Sequence, residues 1–101
     1  MIIYRPTIAA ISLDAVKHNI QAIQKKVGAA CQVMAVVKAN AYGHGMAQVA
    51  QASLEAGAAR IGVATVDEAA ILRDLKIKAP ILVMGPALLE HAEFFIARHI
   101  S

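Results

Sequence analysis

The sequence predicts an α/β fold of the TIM (βα)8 barrel class, with residues 1–101 supplying a leading helix and the first three βα units. Three observations carry this. Short apolar runs rich in β-branched residues alternate with helical patterns. The connections are brief and marked by glycine, proline or capping residues, which implies parallel strands joined by crossovers. Alanine is the commonest residue and aromatics are only 4% of the chain, so helices can lie close to a sheet. Three strands alone would leave two apolar edges open, and a whole barrel takes about 250 residues. Residues 1–101 therefore read as the N-terminal part of one barrel domain, with the remaining barrel outside them.

The elements follow in order. Thr7 to Ile11 is short and β-prone, an extended lead-in. Ser12 is placed to cap a helix whose apolar face is Leu13, Val16, Ile20, Ile23 and Val27, spaced by threes and fours, with Gly28 at its end. Val33 to Val37 is an unbroken apolar run, read as a strand buried on both faces. Ala39 to Gly45 is a loop with two glycines. Met46, Val49, Ala50 and Leu54 trace a second amphipathic helix, closed by Gly57.

Arg60 to Ala64 is the second strand. Thr65 and Glu68 form a capping box that opens a third helix running to about Lys76. Pro80 to Met84 is the third strand, Gly85-Pro86 the turn, and Pro86 stands at the first position of a fourth helix. Leu88, Leu89, Ala92, Phe95 and Ile96 line that helix.

Composition excludes several classes. The net charge of +3 is modest and the basic residues are scattered; Lys25-Lys26 is the sole adjacent pair. No basic stripe is interleaved with aromatics, so no nucleic acid is expected as a partner. No run approaches the roughly 20 apolar residues of a membrane helix, and residues 1–11 lack a signal-peptide pattern. The single cysteine, Cys31, cannot form an internal disulfide; it precedes a buried strand and is read as inert. A cytoplasmic location follows as the expectation.

The chemistry concentrates in Val36 to Gly45, which reads Val-Val-Lys-Ala-Asn-Ala-Tyr-Gly-His-Gly. Lys38 ends a buried strand, and catalytic groups of βα barrels gather at that end. A primary amine held there is the nucleophile that Schiff-base chemistry needs. By position alone, a lysine ending a strand is ordinarily a solvated side chain leaving the sheet. The wording of the whole string is more specific.

Ala35 to Gly45 resembles the pyridoxal-phosphate attachment signature of the alanine racemase family. Arg5-Pro6-Thr7 with Ile11 to Asn19 is similar to that family's opening strand and first helix. Ile61 to Arg73 resembles its second strand and following helix, and Ile81 to Gly85 its third strand. The resemblance covers nearly the whole chain.

It implies a barrel of the alanine racemase type, a separate C-terminal β domain outside residues 1–101, and pyridoxal 5'-phosphate as cofactor. It further implies racemisation of L- and D-alanine, supplying D-alanine for bacterial peptidoglycan, by a homodimer. On that resemblance Lys38 carries the cofactor and is the base on one face of the substrate Cα. Tyr42 matches the tyrosine whose hydroxyl binds the cofactor phosphate. The base on the opposite face is, in the family, a tyrosine of the other subunit's C-terminal domain. Tyr4 does not match that motif. Residues 1–101 alone are therefore expected to have little or no racemase activity.

Other polar residues read as structural. His44 shapes the turn between two glycines, and Asn40 bonds the loop backbone. Asp67 and Glu68 are helix-start charges. His18, His91 and His99 show no metal-site spacing, and Gly43 with Gly45 falls short of a dinucleotide loop. Two rival functions stand beside the first: a serine or broad-specificity amino-acid racemase of the same fold, and a non-catalytic pyridoxal-phosphate-binding homeostasis protein.

Overall fold

In the computed structural model residues 8–101 are described; the expectations on Tyr4, Arg5, Pro6 and Thr7 lie outside them. Residues 8–11 carry no regular structure. Helix α1 (Leu13–Val27) begins where the Ser12 hydroxyl accepts from the Ala15 amide at 3.1 Å and ends at Gly28, as the sequence predicts. Its apolar face is less covered than expected: Ile20 is buried, but Leu13, Ile23 and Val27 are exposed. The reason is its place in the fold. The helix precedes the first strand and packs on the second helix, not across the sheet.

The strands β1 (Met34–Val36), β2 (Arg60–Val63) and β3 (Ile81–Val83) form one parallel sheet in chain order. Ala35 pairs with Ile61 and Ile61 with Ile81. Between them lie α2 (Met46–Glu55) and α3 (Val66–Asp74), and after β3 come a short 3₁₀ turn (Leu89–His91) and α4 (Ala92–Ala97). One sheet face carries the core: Val33, Ala35, Val37, Ile61, Val63, Ile81 and Val83 meet Met46, Ala50, Ala69 and Leu72 from the helices. The alanines on both sides allow the close helix–sheet approach that the composition foretold.

Two expectations are corrected. The strands are not buried on both faces: Val36, Leu82 and Met84 are exposed on the second face, because three strands form an open sheet rather than a closed ring. Helix four does not start at Pro86. Leu88 is extended, α4 begins at Ala92, and only Phe94 and Phe95 of its aromatic and aliphatic residues pack on the core. A Cβ on Gly85 would collide with the Ala64 carbonyl, so the chain leaves β3 pressed against the β2 loop and turns helical only later. After α4 the chain returns to the sheet. Ile100 bridges Ile81 in parallel, and Ser101 exchanges hydrogen bonds of 2.9 and 2.8 Å with Ile81 and Val83 on the outer edge of β3.

The third helix stops at Asp74, two residues before the expected Lys76, which takes a left-handed φ of 67°. Arg73 holds the reversal. Its guanidinium donates to the carbonyls of Ile77 (2.6 Å), Ala79 (2.8 Å), Arg98 (2.8 Å) and His99 (2.9 Å). One planar fork thus joins the α3–β3 loop to the end of α4. Arg73→Ala is expected to destabilise the protein by roughly 2–3 kcal/mol, the scale of charge-assisted bonds lost with acceptors left behind. Arg73→Lys should recover only part, since one ammonium cannot span four carbonyls. Urea denaturation midpoints check the order.

Candidate active site

All three strands run in one direction, so their carboxyl ends lie together. There the chain leaves β1 at Lys38. The expected loop is instead a turn of the wrong hand. Ala39, Asn40 and Ala41 have φ of 53–55° and ψ of 40–44°, and Tyr42 has φ 53°. Each non-glycine residue in this conformation costs about 1–2 kcal/mol. Strain of this kind persists only where surrounding bonds over-determine it, and it gathers at functional sites.

Those bonds are identifiable. The Ala41 amide donates back to the Val37 carbonyl at 2.9 Å, closing the first turn. The Asn40 carbonyl accepts from the Gly43 and Gly45 amides at 3.1 and 3.0 Å. Its side-chain Oδ1 accepts from the Met46 amide at 2.8 Å, so Asn40 caps α2 from outside the helix. The Nδ1-protonated ring of His44 donates to the Ala41 carbonyl at 2.9 Å. Asn40 and His44 therefore act locally, as their residue types led us to expect. Gly45 has φ 94°, a conformation that favours glycine, while the Gln48 side-chain oxygen that a Cβ would meet at 2.8 Å can swing aside.

Lys38 itself is half-buried, between the fully buried Val37 and the exposed Ala39. Among the described residues no carboxylate lies within ion-pair distance of its amine; the ion pairs join Lys17 to Glu55, Glu90 to His91, and Asp74 to Arg98. Tyr42, at the end of the same turn, is 67% exposed, so its hydroxyl is open to a ligand. The turn thus presents an unpaired primary amine and an unburied phenol within five residues of one another at the rim of the sheet. That donor set suits a phosphorylated aldehyde: the amine can condense with the aldehyde, and the phenol can donate to the phosphate. Among the described residues no three of His, Cys, Asp and Glu gather as a metal site.

The sequence reading missed one participant. Glu68 completes the capping box with Thr65 as predicted, but its carboxylate also accepts from the Ala39 amide at 2.7 Å. Burial pushes its pKa up; the amides of Ala64, Ala39 and Thr65 outweigh that and hold it below the ordinary glutamate value. The capping-box spacing identified the residue, but no sequence signal showed the bond across 29 positions. Asp67 is an exposed helix-start charge, and Cys31 is exposed in the turn after α1.

Comparison with known proteins identifies the family. The family model for the alanine racemase N-terminal domain matches residues 11–101. The alanine racemase of Anoxybacillus flavithermus is 47% identical over 100 residues, which cover 97% of this chain and 26% of that protein. The crystal structure of the Bacillus anthracis alanine racemase with bound L-Ala-P superposes with a TM-score of 0.92 at 40% identity, covering 99% of this chain and 26% of that one. The histidine racemase of Leuconostoc mesenteroides superposes with a TM-score of 0.82 at 42% identity, over 89% of this chain and 24% of its own. The chain spans about a quarter of the length of the relatives it matches. No helix of the described residues is long and apolar enough to cross a membrane. By sequence and by fold, the chain belongs to the alanine racemase family, within its N-terminal domain.

Proposed function

We propose that residues 1–101 are the N-terminal part of the barrel domain of a pyridoxal-5'-phosphate-dependent racemase that interconverts L- and D-alanine. The observation that carries this reading is Lys38 at the carboxyl end of β1, heading a strained turn that is bonded on every side. Lys38 and Tyr42 would hold the cofactor, the lysine Nζ at its aldehyde carbon and the tyrosine hydroxyl at its phosphate. Lys38 Nζ, when not engaged with the cofactor, would take or return the Cα proton on one face of the substrate. When bound, the cofactor supplies the electron sink that makes the Cα proton acidic.

A second base must serve the other face, and it lies outside residues 1–101. The working enzyme is accordingly a homodimer with a C-terminal β domain, cytoplasmic, supplying D-alanine for peptidoglycan. The likeness to a histidine racemase favours one second reading, an amino-acid racemase with another or broader substrate, because this quarter of the protein is shared across side-chain preferences. The test is conversion of L-alanine to D-alanine by the full-length protein with pyridoxal phosphate, followed by circular dichroism, beside serine and histidine. Turnover of alanine well above the others is expected. No turnover of any amino acid would remove the proposal, and residues 1–101 alone should be inactive.

A further inference from the structure

The two peptide planes that flank the Lys38 Cα are pinned by different parts of the chain. The 37–38 plane is fixed within the turn, where the Val37 carbonyl accepts from the Ala41 amide at 2.9 Å. The 38–39 plane is fixed from outside, where the Ala39 amide donates to Glu68 Oε2 at 2.7 Å. The last amide before the lysine to join the sheet is that of Val37, which donates to the Gly62 carbonyl at 2.9 Å. Beyond it the backbone turns left-handed, and the Ala39 N–H has left the β1–β2 ladder. Glu68 catches it there.

A helix cap does not need this bond. A capping box requires only that the glutamate reach back to the N-cap amide. Glu68 Oε1 already does so, accepting from Thr65 at 3.1 Å and from Ala64 at 2.8 Å. Oε2 is surplus to that motif and is spent on the neighbouring strand. The link continues to the third strand, because the Ala64 carbonyl accepts from the Gly85 amide at 3.1 Å. One carboxylate therefore sits between the ends of β1 and β2, at the peptide that sets the Cα–Cβ direction of the lysine.

We propose that Glu68 is a positioning residue for Lys38: by holding the 38–39 peptide it aims the amine at the rim of the sheet. The proposal rests on the reading of Lys38 as the amine that holds the cofactor. A lysine side chain is a long lever, so a small rotation at Cα moves Nζ far, and a misplacement of about 1 Å can cost roughly 100-fold in rate.

The experiment uses the full-length protein and pyridoxal phosphate. Attachment at Lys38 is timed by borohydride trapping and mass analysis of the Lys38 peptide, beside kcat and KM for alanine, thermal midpoint, and hydrogen exchange of the Ala39 amide. Glu68→Ala is expected to slow attachment and lower kcat by roughly 10- to 100-fold with little change in KM, and to speed Ala39 exchange. Glu68→Gln keeps one acceptor oxygen and should fall between, which covers the case that the alanine variant folds poorly. Thr65→Ala weakens the same helix start, lowering the thermal midpoint by roughly 2–8 °C, but leaves Oε2 in place; its attachment rate and Ala39 exchange should match the unsubstituted protein.

Attachment at the unsubstituted rate in both Glu68 variants overturns the proposal and leaves the reading of Lys38 standing. Equal slowing in Thr65→Ala and Glu68→Ala also overturns it, since Glu68 is then only a cap. An unsubstituted protein that traps no cofactor on Lys38 overturns both.

Discussion

Lys38→Ala in the full-length protein is expected to lower alanine racemisation by roughly 10³-fold or more, and to abolish the visible absorbance of lysine-bound pyridoxal phosphate. Among the described residues no other lysine stands at that end of the sheet. Lys25 and Lys26 lie in the last turn of α1, and Lys76 and Lys78 lie in the α3–β3 loop, at the opposite end of the sheet. Lys17 is on α1, paired with Glu55. Stability should move by no more than about 0.5 kcal/mol, because the side chain is half-buried and has no ion-pair partner to abandon. Loss of activity with an unchanged unfolding midpoint therefore isolates chemistry from folding. Lys38→Arg should be as inactive, since a guanidinium stays protonated and does not condense with an aldehyde. Activity retained in either variant would end the case for this residue.

The second large effect concerns the backbone behind the amine. Ala41→Val is expected to destabilise the protein by roughly 2–4 kcal/mol and to reduce racemisation with it. Ala41 has φ 53° and ψ 41° and is only 6% exposed. A β-branched residue is an outlier in the left-handed region, and two added methyl groups must also enter a filled space. Ala39→Gly reverses the sign. Ala39 has the same left-handed backbone but is exposed, so glycine removes strain without leaving a cavity and should be neutral or stabilising by up to about 1 kcal/mol. Denaturation of the pair discriminates left-handed strain from simple crowding. If both variants lose stability equally, handedness is not the cause.

Much of this architecture is legible from the chain. The three strands fall within the predicted runs, since β-branched clusters bounded by punctuation leave little choice. The Ser12 cap and the Thr65–Glu68 box appear where a hydroxyl precedes a helical pattern. The lysine string is legible by its wording, and Lys38 stands just past the carboxyl end of β1. The handedness of the turn after it was not legible. Ala39, Ala41 and Tyr42 have no preference for that conformation, which is imposed by Asn40, His44, Glu68 and the Val37 carbonyl. Periodicity likewise carries no trace of Arg73 reaching the end of α4, or of the two-residue pairing of Ile100 and Ser101. The start of α4 was misplaced because Pro86 fits a helix start in isolation, whereas contact with the β2 loop delays it.

Strand order follows chain order, and residues 100–101 already lie along the far side of β3. Growth is thus one-directional, and the twist of successive parallel strands bends it into a curl. A curl that closes must return to the flank of β1 that no described strand covers, so β1 borders the seam of the ring. The turn after β1 then stands beside that joint, and imperfect closure should disturb its left-handed backbone before it disturbs the helices outside.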